Sequence, residues 1–323
     1  MSKPIAIIAG EPNSISSEII FKTWKFRKKY KHNSFFIIGS KDLLNLQKKK
    51  LKFNIQIKEI KNKFSLKDIN TNKLPVFNIN FTQKKAFQKI SSISNKYIFE
   101  CFDAALKMIN QKKIMGFINC PISKEHLLKK KYNGITEFLA QKSGMKGNEV
   151  MLIYNKKLSV SPITTHLPLS YVSKKINKSK IVKNVKIINK FYTKILKKKP
   201  KFAILGLNPH NFSTKKASEE KKIIYPAIKK LKNDGIKVVG PVSPDTSFMF
   251  FGKENVNVII GMYHDQVLTP FKTLFKYDAI NLTLGLSYIR ISPDHGTASN
   301  ILGKKIADPK SLIESVKFFN FIK

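Results

Sequence analysis

What most constrains the fold of this chain is a rhythm: short, almost wholly apolar runs alternate with longer segments whose apolar residues recur at helical spacing. Residues 4–9 (PIAIIA) read as a strand ending at Gly10, and 16–30 as a helix opened by Ser16. Residues 34–39 are a second strand and 41–50 a second helix. Extended segments at 51–60 and 74–79 follow, then a long helix at 92–111 and a strand at 115–120 closed by Pro121. The strands read as short apolar runs. Their alternation with helices predicts a doubly wound α/β sheet.

The middle of the chain departs from this pattern. Residues 150–155 and 158–163 flank Lys156-Lys157 and read as a hairpin, which predicts a second lobe with a mixed sheet. A helix at 178–199, a strand at 202–207 and a helix at 219–233 stopped by Asp234-Gly235 come next. Strands at 256–262 and 279–284, with a loop and a helix between them, precede a closing helix at 311–322. No internal repeat is present, and 323 residues suffice for two α/β lobes.

Composition excludes several classes. With 42% hydrophobic residues the chain can bury a full core. Its two cysteines, Cys101 and Cys120, form no disulfide framework and fit a reducing compartment. No apolar run reaches membrane-spanning length, and the first residues enter a strand pattern at once, so a cytoplasmic protein with no membrane contact is expected. The formal net charge of +41 invites a nucleic-acid reading. Yet the cations are almost all Lys, spread along the whole chain, with Arg only at Arg27 and Arg290. Phosphate and base recognition leans on the bidentate Arg fork. A general lysine bias is the preferred account, and no specific nucleic-acid function is expected. In such a chain a surviving Arg draws attention.

Three of the six histidines share a context. His166, His210 and His264 each follow an apolar, strand-like run and open a polar loop. In open α/β sheets such loops line the ligand crevice, where three imidazoles could hold one divalent metal or simply be unrelated loop residues. Their spacing matches no local metal motif. Lys272, Asn281 and Arg290 form a second set, two cations and an amide suited to a phosphate or carboxylate. A third element, residues 292–298 (SPDHGTA), brackets an acid and a histidine between Pro and Gly ahead of a helix-like stretch at 298–303, the kind of loop and helix N-terminus that seats an anion or nucleotide. There is no G-x-G-x-x-G fingerprint and no P-loop.

Together these segments resemble the 4-hydroxythreonine-4-phosphate dehydrogenase family of pyridoxal phosphate (vitamin B6) biosynthesis. The likeness is densest at residues 261–266, 270–272, 280–285, 289–290, 292–298 and 307–309, and extends to 120–124, 136–138, 164–169, 206–210 and 240–248. The resemblance implies an α/β, two-lobed isocitrate/isopropylmalate dehydrogenase-like fold with a cleft between lobes, at about 1–125 plus 295–323 and about 126–294. It implies a homodimer with its site near the interface. It casts His166, His210 and His264 as metal ligands drawn from both chains, and Thr136, Lys272, Asn281 and Arg290 as substrate-binding residues. His295, Gly296 and Thr297 fall on the superfamily's nucleotide loop. NAD or NADP and one divalent metal (Zn, Mg or Co) are the implied cofactors. The implied reaction moves a hydride from the secondary alcohol of 4-phosphohydroxy-L-threonine to the nicotinamide, and carbon dioxide is then lost.

Four departures stand out. Ile135 occupies the place of a substrate-binding His, which predicts a raised KM with little change in kcat. Residues 11–17 lack the family's glycines after the first strand, 211–216 replace a Gly-rich acidic stretch, and Val267 replaces a Gly that, at positive φ, would leave Val strained. The alternatives are a relative acting on another phosphorylated hydroxy acid, or a former enzyme now binding nucleic acid through its basic surface.

Overall fold

The computed structural model describes residues 3–29, 34–128, 135–211, 218–249, 255–319 and 322. Twelve strands occur among them: β1 (Ile5–Ile8), β2 (Phe35–Gly39), β3 (Ile57–Ile60), β4 (Leu74–Asn78), β5 (Gly116–Asn119), β6 (Val150–Tyr154), β7 (Ser159–Thr164), β8 (Phe202–Leu205), β9 (Val238–Val242), β10 (Val258–Tyr263), β11 (Ile280–Leu284) and β12 (Ile289–Pro293). The chain divides into two compact units, Met1–Gly147 with Leu286–Lys323, and Asn148–Gly285.

In the first unit the strand order is β3-β4-β2-β1-β5-β12, every pairing parallel. β1, β2 and β5 are buried along their whole length, as strands inside a parallel sheet covered by helices are. Helix Asn95–Asn110 lies across β1 and β2, and Lys310–Phe318 against β12. Phe36, Phe102, Phe117 and Phe138 interlock in the core, each ring contributing about 1.5–3 kcal/mol by burial. Of the extended segment expected at 51–60, only Ile57–Ile60 is strand. The preceding helix closes through Lys52 at φ 51°, with Phe53 N–H donating to Lys48 O, and this turn consumes the residues before Gln56. Arg27 is structural: its guanidinium stacks 4.1 Å over Trp24 and donates to the Trp24 carbonyl.

In the second unit the order is β11-β6-β7-β10-β8-β9. The expected hairpin is present, with β6 antiparallel to both β7 and β11, and the rest parallel. Helix Lys178–Lys194 is capped by the Asn177 side chain, which accepts from Lys180 N–H at 2.8 Å. The helix expected at 219–233 is two pieces, a π turn at Glu220–Ile224 and an α-helix at Tyr225–Asn233 with Pro226 in its first turn. Proline lacks the N–H that would continue the upstream ladder. Helix His264–Phe275 packs on β7 and β10 through Val267, Leu268 and Phe271. Among the described residues no helix is long and apolar enough to cross a membrane.

Candidate active site

In the second unit β7 and β10 run parallel with Thr164 opposite Tyr263, so the residues just beyond them emerge side by side. The Thr164 hydroxyl donates to the Met262 carbonyl at 2.8 Å and pins the two strand ends together. His166, held at φ 52°, thereby faces His264 with ring centroids 5.8 Å apart. Two imidazoles on one tetrahedral ion, with nitrogens about 2.1 Å from it, would place their centroids about 5 Å apart, so this pair fits as two ligands of one ion. His264 does not open a loop: it is the first residue of helix His264–Phe275. Its Nδ1 lies 2.6 Å from Asp265 Oδ1, and with the proton on Nδ1 the Nε2 lone pair is the one available to a metal.

His210 stands apart from that pair. It follows β8 in a left-handed conformation (φ 50°, ψ 25°), with its side chain 85% exposed and its Nδ1 4.0 Å from Asp245 Oδ2. Among the described residues no three His, Cys, Asp or Glu side chains converge to hold an ion. Within one chain, then, two of the three expected ligands come together. Of the departure at 211–216, residues 212–216 lie outside the described residues.

Lys272 sits exposed on helix His264–Phe275. Asn281 lies on β11 opposite Ile153, and its buried Oδ1 has no hydrogen-bond partner among the described residues. An acceptor left without a donor is costly in a closed interior and suits a ligand's hydroxyl or amine. Val267, which the resemblance places at a glycine position, is helical and fully buried, with no positive φ. Its methyl instead occupies the space over Gly261, where an added Cβ would come within 2.5 Å of it.

In the first unit Arg290, on β12, is only 4% exposed. Its Nε donates to Asn119 Oδ1 at 2.7 Å and its Nη1 to Thr136 Oγ1 at 3.4 Å. Burial lowers the guanidinium pKa to about 10, opposed by the nearby Tyr288 and Glu137, so it stays a cation near neutrality. Thr136 and Arg290 are thus brought together across 154 residues. Sequence reasoning missed Asn119, whose one signal was a lone polar residue ending an apolar strand. Ile135 is 3% exposed and belongs to the core around Phe138 and Leu139.

His295, Gly296 and Thr297 follow the C-terminal end of β12, and the Thr297 carbonyl accepts from Ile15 N–H in the loop after β1. Gly10, at φ 75°, brings that same loop onto β5, where an added Cβ would lie 2.5 Å from the Pro121 carbonyl. Loops following β1, β5 and β12 therefore meet outside the carboxyl ends of parallel strands, the usual place for a ligand crevice. A Cβ on Gly296 would meet open space. The helix expected at 298–303 is one 3₁₀ turn, Ser299–Ile301, entered through Ala298 at φ 49°. So short a turn has no helix dipole to offer, and an anion there would be met by loop backbone instead.

Residues 31–319 match the family described as pyridoxal phosphate biosynthetic protein PdxA. The 4-hydroxythreonine-4-phosphate dehydrogenase of Sulfurihydrogenibium sp. (strain YO3AOP1) is 41% identical over 324 residues, covering 99% of this chain and 98% of that protein. The crystal structure of 4-hydroxythreonine-4-phosphate dehydrogenase from Klebsiella pneumoniae superposes with a TM-score of 0.82 at 28% identity, over 100% of this chain and 98% of that one. At the level of fold alone, isocitrate dehydrogenase from Methylococcus capsulatus is similar, with a TM-score of 0.50 at 9% identity over 99% and 86% of the two chains. Sequence match, full-length identity and fold agree: the chain belongs to the family of the pyridoxal phosphate biosynthetic protein PdxA.

Proposed function

We propose that this chain oxidises 4-phosphohydroxy-L-threonine, with decarboxylation, using NAD or NADP and one divalent ion (Zn, Mg or Co). The observation that carries the reading is the His166–His264 pair, set side by side at the ends of two parallel strands and backed by Asp265. These two imidazoles, with His210, would hold the ion. When bound, the ion would supply Lewis-acid polarisation of the substrate oxygen and the nicotinamide a hydride acceptor.

The remaining work falls to this chain's own groups. Arg290 carries a buried fork, charged near neutrality, that Asn119 and Thr136 hold in orientation, suited to a phosphate or carboxylate. Asn281 offers an unmatched acceptor, and Lys272 a second cation. The loop at His295, Gly296 and Thr297 is assigned to the dinucleotide. A homodimer working in the cytoplasm accounts for a ligand set that one chain leaves incomplete.

The test is an NAD(P)-reduction assay with 4-phosphohydroxy-L-threonine, with and without added Zn²⁺, Mg²⁺ or Co²⁺, alongside light scattering. The reading expects metal-dependent turnover by a dimer. Full turnover after chelation, or by a monomer at assay concentration, would overturn the corresponding part.

A further inference from the structure

His210 is aimed by its backbone. Its side chain is largely exposed, and it is followed by Asn211, also left-handed at φ 60°. Two consecutive non-glycine residues in this region are strained and persist only where their surroundings impose the conformation. The loop that leads to His210 is held by the turn before the next helix. Glu220 is fully buried, in the π turn that precedes helix Tyr225–Asn233. Its Oε1 accepts from both Leu207 N–H and Asn208 N–H at 2.9 Å, and its Oε2 from the Asn208 side-chain amide at 3.0 Å. That amide also donates to Glu219 Oε2 at 2.9 Å. An extra residue in a helix turn redirects the side chains it carries, and such π turns recur at functional sites.

Other contacts complete the clasp. The Gln266 amide donates to the Gly206 carbonyl at 2.8 Å while its Oε1 accepts from Met262 N–H, tying the end of β8 to the strand that leads to His264. The Asn211 amide donates to the Pro241 carbonyl at 2.9 Å. Gly206 admits no Cβ, because Asn211 Oδ1 fills that space. A fully buried acid in a chain with 20 acidic residues among 61 basic ones is a specific placement, and here it satisfies consecutive backbone donors two and three residues before His210.

We propose that Glu220 is a positioning residue for His210: it fixes the Leu207–Asn208 backbone and so sets where the imidazole points. This rests on the reading of His210 as a metal ligand and assigns the shell behind it. Glutamine at position 220 keeps the size but puts an amide donor against the Asn208 amide, so the loop is released on one side.

The experiment titrates Zn²⁺ into the full-length chain by calorimetry, comparing wild type, Glu220→Gln, His210→Ala and the double variant, with thermal unfolding measured alongside. Outer partners of metal ligands typically govern ten- to hundredfold in affinity, so Glu220→Gln is expected to raise the Zn²⁺ Kd by that factor. In the His210→Ala background the same substitution should change the Kd by less than about twofold, because its effect passes through the missing imidazole. A purely structural role would weaken binding equally in both backgrounds, and that result overturns the proposal. Wild-type affinity in Glu220→Gln overturns it as well. If His210→Ala itself binds Zn²⁺ as wild type does, the metal reading fails first and takes the proposal with it. Should Glu220→Gln not fold, Asn208→Ala removes the side-chain half of the clasp and is expected to raise the Kd in the same His210-dependent way; an unchanged Kd there refutes the proposal.

Discussion

Asn119→Asp is the most informative single change. The guanidinium Nε of Arg290 donates to the Asn119 amide oxygen at 2.7 Å, and both residues are almost wholly buried. A carboxylate at that distance would claim the charge that the proposed substrate anion requires. At an effective dielectric near 20, two unit charges about 4 Å apart attract by about 4 kcal/mol. Part is offset by desolvating the new carboxylate. Part is offset by losing the Asn119 amide's bond to the Cys120 carbonyl at 3.3 Å, worth about 1 kcal/mol. What remains weakens the grip of Arg290 on an anion by about 1.5–3 kcal/mol, the usual worth of a charged hydrogen bond. KM for 4-phosphohydroxy-L-threonine should therefore rise roughly ten- to 150-fold. kcat should change little, because phosphate binding acts on ground and transition states alike. Steady-state nicotinamide reduction across substrate concentrations measures both. Asn119→Ala serves as the comparison: it leaves the Arg290 charge uncontested and should lower thermal stability more than affinity. A wild-type KM in Asn119→Asp, or a loss confined to kcat, would refute the assignment of Arg290 to the substrate anion.

Three further outcomes are expected. Ile135→His places an imidazole where Ile packs against Phe138 and Leu139, so chemical denaturation should show a loss of about 2–4 kcal/mol from lost apolar burial and a poorly satisfied polar group; unchanged stability would remove Ile135 from the core. Burial holds the Glu11 carboxyl above its ordinary 4.5, against hydrogen bonds from Asn13 N–H and the Ser94 hydroxyl. The folded state therefore binds this proton more tightly than the unfolded state, and stability from this group is lost as pH rises through the raised pKa. Glu11→Gln should then melt higher than wild type at about pH 7 and equally near pH 4; an advantage that persists in acid would contradict this. Finally, scattered Lys predicts weak duplex-DNA binding that falls steeply with salt, and sequence-selective binding at physiological salt would contradict the lysine-bias account.

How much of this was legible in advance follows from the range of the forces involved. Apolar runs and helical spacing are local, so ten of the twelve described strands and the hairpin could be read directly, while β9 and β12, the strand that carries Arg290, were not. Helix ends were read less well. The helix expected at 178–199 stops at Lys194, and a single segment at 219–233 became a π turn and a helix. Such ends depend on a few hydrogen bonds whose partners lie elsewhere in the chain. Residue types alone put His166, His210 and His264 at strand ends, and scarcity singled out Arg290. Only the tertiary structure could decide that His166 and His264 face each other while His210 stands apart, because that depends on which strands are neighbours and in what register. Asn119 beneath Arg290 and Glu220 beneath the His210 loop were invisible for the same reason. They lie 171 residues from the guanidinium and 12 from the nearer of the backbone amides they hold. A buried polar group is explained by the partner that satisfies it, and the fold, not local sequence, supplies that partner.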